Sequence, residues 1–280
     1  MKRLLTILTA LICLMPIFAS AEGIDDKINS AIKPISDFAS DIVFYSIPIP
    51  GAGGIPVVLI ILGVTAVFLT VYFGFVNLRG FGVALKTVRG KYSSSNDPGE
   101  ISHFQALSAA LSATVGLGNI AGVAVAIGIG GPGATFWMIL MGLFGMTTKF
   151  AECTLGVKYR KIDENGKVLG GGMYYLSEGL KERGAGLLGS ILAILFAIFV
   201  IGGAFGAGNM YQANQSAAQF TNSFLPNLPG WLFGVALALT VGAVIIGGIK
   251  SIARVTALIV PLMCGAYMLA ALIILSLIHI

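Results

Sequence analysis

The chain has 280 residues, of which 56% are hydrophobic and 10% charged, with a mean hydropathy of +0.92 and a formal net charge of +5. That is far more apolar surface than a water-soluble core can hide, so the composition excludes a soluble globular protein and implies a polytopic membrane protein. The positive balance does not describe a nucleic-acid interface, because the basic residues fall in short segments between apolar runs and are not interleaved with aromatics.

In chain order, Lys2 and Arg3 precede the apolar stretch LLTILTALICLMPIFA, which ends in Ala19-Ser20-Ala21. Residues 1–21 therefore read as a secretory signal peptide, with a short uncleaved anchor as the alternative. Residues 22–54 read as an extracytoplasmic amphipathic segment. Ile24, Ile28, Ile32, Ile35, Phe38 and Ile42 line one face of a helix from Gly23 to about Ser46, kinked at Pro34 and lying on the outer membrane boundary.

A helix needs roughly 20 apolar residues to cross the hydrocarbon. Six runs meet that need, at about 55–78, 104–128, 134–157, 187–213, 231–249 and 253–278. Lys and Arg cluster after the first run (Arg79, Lys86, Arg89, Lys91), after the third (Lys158, Arg160, Lys161, Lys167, Lys181, Arg183) and after the fifth (Lys250, Arg254), and are absent after the second and fourth. The asymmetry places those three exits in the cytoplasm and the mature N-terminus outside, the side to which a signal peptide delivers it. Asp97-Pro98-Gly99-Glu100 has the residues of a helix start, with a cap, a first-turn proline and an acid, just before the second run.

That run carries SATVGLGNIAGVAVAIGIGGPGA, residues 112–134. A dinucleotide fingerprint needs a preceding strand and an acid some 20 residues on, and neither is present. A GxxxG packing face, Gly118 to Gly122, explains the small residues but not Ser112, Thr114 and Asn119 at membrane depth. A discontinuous helix explains both: freed carbonyls can hold a cation, and the amides that open the second half can face an anionic group.

Further along, Lys149 and Glu152 read either as an interfacial i, i+3 ion pair or as a functional pair. Asn209, Gln212, Ser216 and Gln219 recur at i, i+3, i+7 and i+10, one stripe of a helix, with Asn209 and Gln212 expected in a cavity and the other two at the boundary. Phe136, Trp137, Trp231 and Tyr211 fall near run ends as interfacial anchors. His103 and His279 have no partner that suggests a metal or catalytic role. Cys13, Cys153 and Cys264 sit singly in apolar contexts and suggest neither disulfides nor a zinc site.

GLGN, then GGPGATFWMILMGLFGMTTKFAECTLGVKYR, GGGMYYL at 170–176 and GNMYQANQ at 208–215 together resemble the alanine or glycine:cation symporter family, in order and over nearly the whole chain from Pro50. VGLGN also resembles the first core helix of the neurotransmitter:sodium symporters, the leucine transporter-like fold. The resemblance implies an all-α polytopic membrane protein of that fold, in which residues 55–78 form one additional helix and residues 104–278 the first five-helix repeat.

It further implies sodium at the carbonyls of Ser112, Thr114 and Val115 and the side chain of Asn119. Substrate carboxylate is implied at the amides of Leu117 and Gly118, with the carbonyl of Thr114 nearby; Asn209 and Gln212, read from the amide stripe and not from the resemblance, could hydrogen-bond the substrate's carboxylate or ammonium. Glu152 is implied as a brace for the broken helices. Since the fold requires a second, inverted repeat, the chain is expected to be a fragment of a longer protein, with a tail after about residue 275 that is not native.

The expected function is symport of sodium and a small neutral amino acid, alanine or glycine, across the cell inner membrane, with no cofactor beyond the coupling ion and no nucleic-acid partner. An ion channel or pore-forming subunit is the alternative. An enzyme is not expected, because no acid, base or nucleophile cluster lies at membrane depth.

Overall fold

The computed structural model describes residues 22–49, 53–94, 99–164, 168–226 and 228–277. The signal-peptide stretch, Asp97, Pro98, Lys167 and the last three residues lie outside these. The chain divides after Thr65 into two compact units.

In the first unit, α1 runs Glu22–Val43 and contains Pro34. Ile32, Ile35, Phe38 and Ile42 on its apolar face are all more than half exposed. An antiparallel hairpin follows, β1 Ser46–Ile49 with β2 Gly53–Pro56, in the register Ser46 opposite Pro56. The amide of Val57, which opens the next helix, donates to the carbonyl of Tyr45 at 2.9 Å. A second hairpin pairs β3 Lys161–Ile162 with β4 Val168–Leu169, and both are short additions to a predominantly helical structure consistent with the expected all-α class. Helix α2, Val57–Tyr72, carries the division between the units.

The second unit begins within α2. The apolar run to residue 78 is not one helix: Gly74 and Phe75 take positive φ angles of 59° and 56°, ending α2 and starting the short α3, Val76–Arg79, and then α4, Phe81–Val88. Reversal here brings polar side chains onto α7, Gly133–Lys158. Asn77 Nδ2 donates to the Leu143 carbonyl at 2.9 Å, and Thr70 Oγ1 to the carbonyls of Ala66 at 2.7 Å and Phe144 at 3.4 Å. Leu143 and Phe144 hold the carbonyls that Thr147 and Thr148 would ordinarily bond one turn back. Both threonine hydroxyls are buried without a partner among the described residues.

Helix α5, His103–Thr114, starts later than the Asp97 cap predicts. Ser102 caps it, accepting from the Gln105 amide while Gln105 Oε1 takes the Ser102 amide at 3.0 Å. Helix α6, Leu117–Gly130, follows at a bend of 42°. After α7 come α8, Gly172–Lys181, and α9, Gly186–Gly203. A π-helical segment, Ala204–Met210, joins α9 to α10, Tyr211–Ser223. Helices α11, Gly230–Ile245, and α12, Gly248–Leu277, complete the unit.

By length and apolarity, α7, the 38-residue stretch Gly186–Ser223 and α12 can each cross a bilayer, and α5 with α6 makes a fourth span if the bent pair counts as one. Helices α2 and α11, at 16 residues each, cover the remaining two runs as shorter apolar helices.

Close helix contacts rest on small residues. Helix α5 packs on α12, and Ser108, Ala253 and Val260 on those helices are 2%, 0% and 3% exposed. Large side chains such as Ile129 and Ile246 point outward at 86% and 88%. Hydrocarbon solvates an apolar side chain as well as a core does, so only backbones that approach closely gain from packing. Together with the apolar spans, this is a multi-pass α-helical membrane protein with two short hairpins.

Candidate functional site

The centre of the site is the break between α5 and α6. Helix α5 ends because Val115 (φ −84°, ψ 104°) and Gly116 (φ −154°, ψ −161°) are extended, although the Val115 amide still reaches the Leu111 carbonyl at 2.8 Å. Two extended residues remove the helical partners of the groups on either side. Among the described residues, the carbonyls of Ser112, Ala113, Thr114 and Val115 accept no backbone hydrogen bond outside their own helix. The hydroxyls of Ser112 and Thr114 turn back to the carbonyls of Ala109 at 2.7 Å and Ala110 at 2.8 Å. What these residues present to a ligand is therefore main-chain oxygen.

The opposite polarity lies one residue on. The amide of Leu117, first in α6, donates to Oε1 of Gln212 at 3.3 Å, and the Asn119 amide closes onto the Gly116 carbonyl at 3.1 Å. Gln212 stands in the first turn of α10, and its Nε2 lies 3.4 Å from the Ala207 carbonyl in the π segment. Gly116 needs no glycine for its φ, which any residue adopts. What it leaves is space: a Cβ there would lie 3.2 Å from Nε2 and 3.4 Å from Oε1 of Gln212, so the carboxamide would shift by a few tenths of an ångström.

Of the residues marked out by the sequence, the structure thus brings Leu117 and Gln212 into contact, with Thr114, Val115, Gly116 and Gly118 beside them in the chain. Asn119 and Asn209 are exposed and make no side-chain hydrogen bond among the described residues. The stripe from Asn209 through Gln219 is not continuous. Asn209 belongs to the π segment, where i→i+5 bonding replaces the helical spacing, and only from Gln212 onward does the α register hold.

Glu152 is paired within α7, with Lys149 Nζ 3.0 Å from its Oε2 and both side chains about half exposed. Gly118 and Gly122 do not meet a neighbouring helix, since a Cβ at 118 would contact nothing within 4 Å and one at 122 only the Leu117 carbonyl of its own chain. Sequence reasoning missed the π segment and the role of Gly116. Its available signal was the run of glycines at 202, 203, 206 and 208 just before the amide stripe.

The sodium:alanine symporter family matches residues 51–279. The chain is 47% identical over 221 residues to the sodium/alanine symporter AgcS of Methanococcus maripaludis, covering 79% of this chain and 48% of that protein. It is 36% identical over 245 residues to the amino-acid carrier protein AlsT of Bacillus subtilis, covering 87% of this chain and 46% of that one. Against a third relative, named a probable sodium/glutamine symporter, GlnT of Bacillus subtilis, identity is 34% over 201 residues, 72% of this chain and 40% of that protein. The chain spans about half the length of the curated relatives it matches.

Proposed function

Because the chain belongs to the sodium:alanine symporter family, we propose that the full-length protein couples inward sodium movement to uptake of a small neutral amino acid, alanine or glycine. Its fold is leucine transporter-like, and this chain supplies the additional first helix, Val57–Tyr72 within the run 55–78, and the first five-helix repeat (104–278). It works in the cell inner membrane with its mature N-terminus outside. The observation that carries the reading is the broken helix at Val115–Gly116, which sets unclaimed carbonyls next to amides that open a helix.

An amino acid at neutral pH is a zwitterion, and sodium is a hard cation without a fixed geometry. The carbonyls of Ser112, Thr114 and Val115 with the Asn119 side chain are oxygen donors for the ion, without the cost of burying a carboxylate in hydrocarbon. The amides of Leu117 and Gly118, at the positive end of α6, suit the substrate carboxylate. A sodium bound at the carbonyls lowers the cost of bringing that carboxylate beside it, which couples the two ligands. Each charge carried inward gains about 2.3 kcal/mol per 100 mV of membrane potential. Asn209 and Gln212 are further substrate contacts, and Glu152 braces the broken helices.

The test is uptake of labelled alanine, glycine and glutamine by the full-length protein in liposomes, with and without a sodium gradient. Saturable, sodium-dependent uptake of alanine or glycine is expected, and Asn119→Leu should abolish its dependence on sodium together with most of the uptake. Uptake indifferent to sodium would sink the reading.

A further inference from the structure

We propose that the end of α4 is a seat for anionic phospholipid, in which Lys86, Arg89 and Lys91 take the headgroup phosphate while Phe81 and Leu85 rest against the acyl chains. The seat lies apart from the α5–α6 break and does not depend on what binds there.

No acid occurs between Asp41 and Asp97, yet Arg79, Lys86, Arg89 and Lys91 fall within that stretch. All four are exposed, and none makes an ion pair among the described residues. The later cationic loop differs. Its cations, Lys158 through Arg183, share the segment with Asp163, Glu164, Glu178 and Glu182, and Lys161 is paired with Glu178 at 2.6 Å. Lysine and arginine set sidedness whether or not acids accompany them. Sidedness therefore accounts for the cations of both segments but not for the want of acids in one.

The backbone gathers this charge at one place. Gly90, at φ 79°, turns the chain back on α4: its amide donates to the Thr87 carbonyl at 2.9 Å and the Lys91 amide to the Lys86 carbonyl at 3.0 Å. That closing motif holds Lys86, Arg89 and Lys91 together in the last turn and its cap. One cation there suits the negative end of the helix dipole. Three without an acid repel one another until an anion lies among them. On the same helix Phe81 and Leu85, one turn apart, are exposed, and Arg89 continues their line at i+4. Unpaired ammonium and guanidinium groups are costly in hydrocarbon, so a helix of this pattern lies at the boundary with its apolar side chains inward and its cationic heads at the phosphates. A cation cluster just beyond an apolar helix is what an anionic membrane surface attracts. A free anion would engage the cations alone, whereas a phospholipid also covers Phe81 and Leu85.

The experiment uses the full-length protein in phosphatidylcholine vesicles, free of cysteine except for Ser93→Cys carrying a fluorophore. Ser93 is exposed and sits against the seat, its amide donating to the Gly90 carbonyl at 3.1 Å. Brominated phosphatidylglycerol or brominated phosphatidylcholine is titrated in, since bromine quenches only a fluorophore it touches. With the three cations intact, quenching is expected to favour phosphatidylglycerol by at least about fivefold, the scale of one cation at an anionic surface. That preference should vanish in about 1 M salt, where charges are screened beyond about 3 Å. Lys86→Gln/Arg89→Gln/Lys91→Gln should be quenched equally by both lipids, while Lys86→Arg/Arg89→Lys/Lys91→Arg keeps the preference. Equal quenching with the cations intact, a preference that survives either the salt or the glutamines, or its loss in the charge-conserving exchange overturns the proposal. So does displacement of phosphatidylglycerol by inorganic phosphate at an ionic strength where chloride displaces none, which would make this a site for a free anion.

Discussion

At Gly189, where α9 leaves its first turn, a Cβ would lie 2.6 Å from the Leu176 carbonyl, 3.1 Å from that of Ser177 and 3.0 Å from the Leu180 side chain. Two of those three neighbours are main chain on α8, which cannot rotate aside, so Gly189→Ala must push α8 and α9 apart. Overpacking of this kind costs about 1–3 kcal/mol. The expected result is a lower unfolding midpoint for Gly189→Ala and faster hydrogen exchange across α8, while Gly142→Ala, where a Cβ would meet nothing within 4 Å, leaves both unchanged. Exchange across α8 equal in the two variants would show that the close approach is not what seats it. Nothing in GLLGSIL distinguishes Gly189 from Gly186 as a contact residue, because a sequence displays the absence of a side chain but not the neighbour that requires it. The same holds for Gly116, whose glycine read as backbone freedom until Gln212 was found against it.

At the scale of elements, the loop between α7 and α9 is held by charge as well as by packing. Lys161 Nζ on β3 lies 2.6 Å from Glu178 Oε1 on α8, and Tyr159 Oη donates to Glu182 Oε2 at 2.8 Å. The bond from Lys161 holds the Glu178 carboxyl below its usual range and raises the Lys161 ammonium above its own. A carboxyl depressed in the folded state contributes stability that is present above its unfolded value, near 4.3, and is lost as pH falls through the folded one. A raised lysine contributes stability present below about 10.4 and lost as pH rises beyond it. Hydrogen-exchange protection of α8, corrected for the intrinsic pH effect, should therefore be flat between those values and fall on either side, and in Glu178→Gln the acid-side fall should shrink. Both groups are exposed, so the change is small and salt should reduce it further. Little of this contact was legible beforehand. The loop's charges read correctly as a cationic segment, but pairing across 17 residues depends on the β3–β4 turn, which the sequence does not advertise. The third, fourth and sixth apolar runs, by contrast, were legible as spans because hydrocarbon enforces apolar length, and the break was legible because polar residues and glycines at membrane depth demand a reason. The π segment was not: a one-residue change of register leaves the composition of a helix untouched while moving Asn209 off the stripe that ends in Gln219.

For the whole molecule, the direction of the transport proposed above depends on which side each loop faces, and two independent features of the chain bear on it. Six cations, Lys158 through Arg183, lie between the third and fourth apolar runs, and none lies between the fourth and fifth. The continuous stretch Gly186–Ser223 has 38 residues, roughly 57 Å at 1.5 Å per residue, against a hydrocarbon layer of about 30 Å. It must tilt or project, and the end that tolerates water is α10, with Gln212, Asn214, Gln215, Ser216, Gln219 and Asn222, while the end that meets the cationic loop is apolar α9. Charge and polarity then agree with the orientation proposed above, which puts Arg183 on the cytoplasmic side and Leu225, just past α10, outside. In a background with Cys13, Cys153 and Cys264 replaced by serine, Leu225→Cys should react with a membrane-impermeant thiol reagent in intact cells and Arg183→Cys only in inverted vesicles. Both positions are exposed, so reactivity reports sidedness and not burial. Labelling of Arg183→Cys from outside would overturn the proposed orientation, and with it the sign of the potential acting on the sodium proposed for the α5–α6 break.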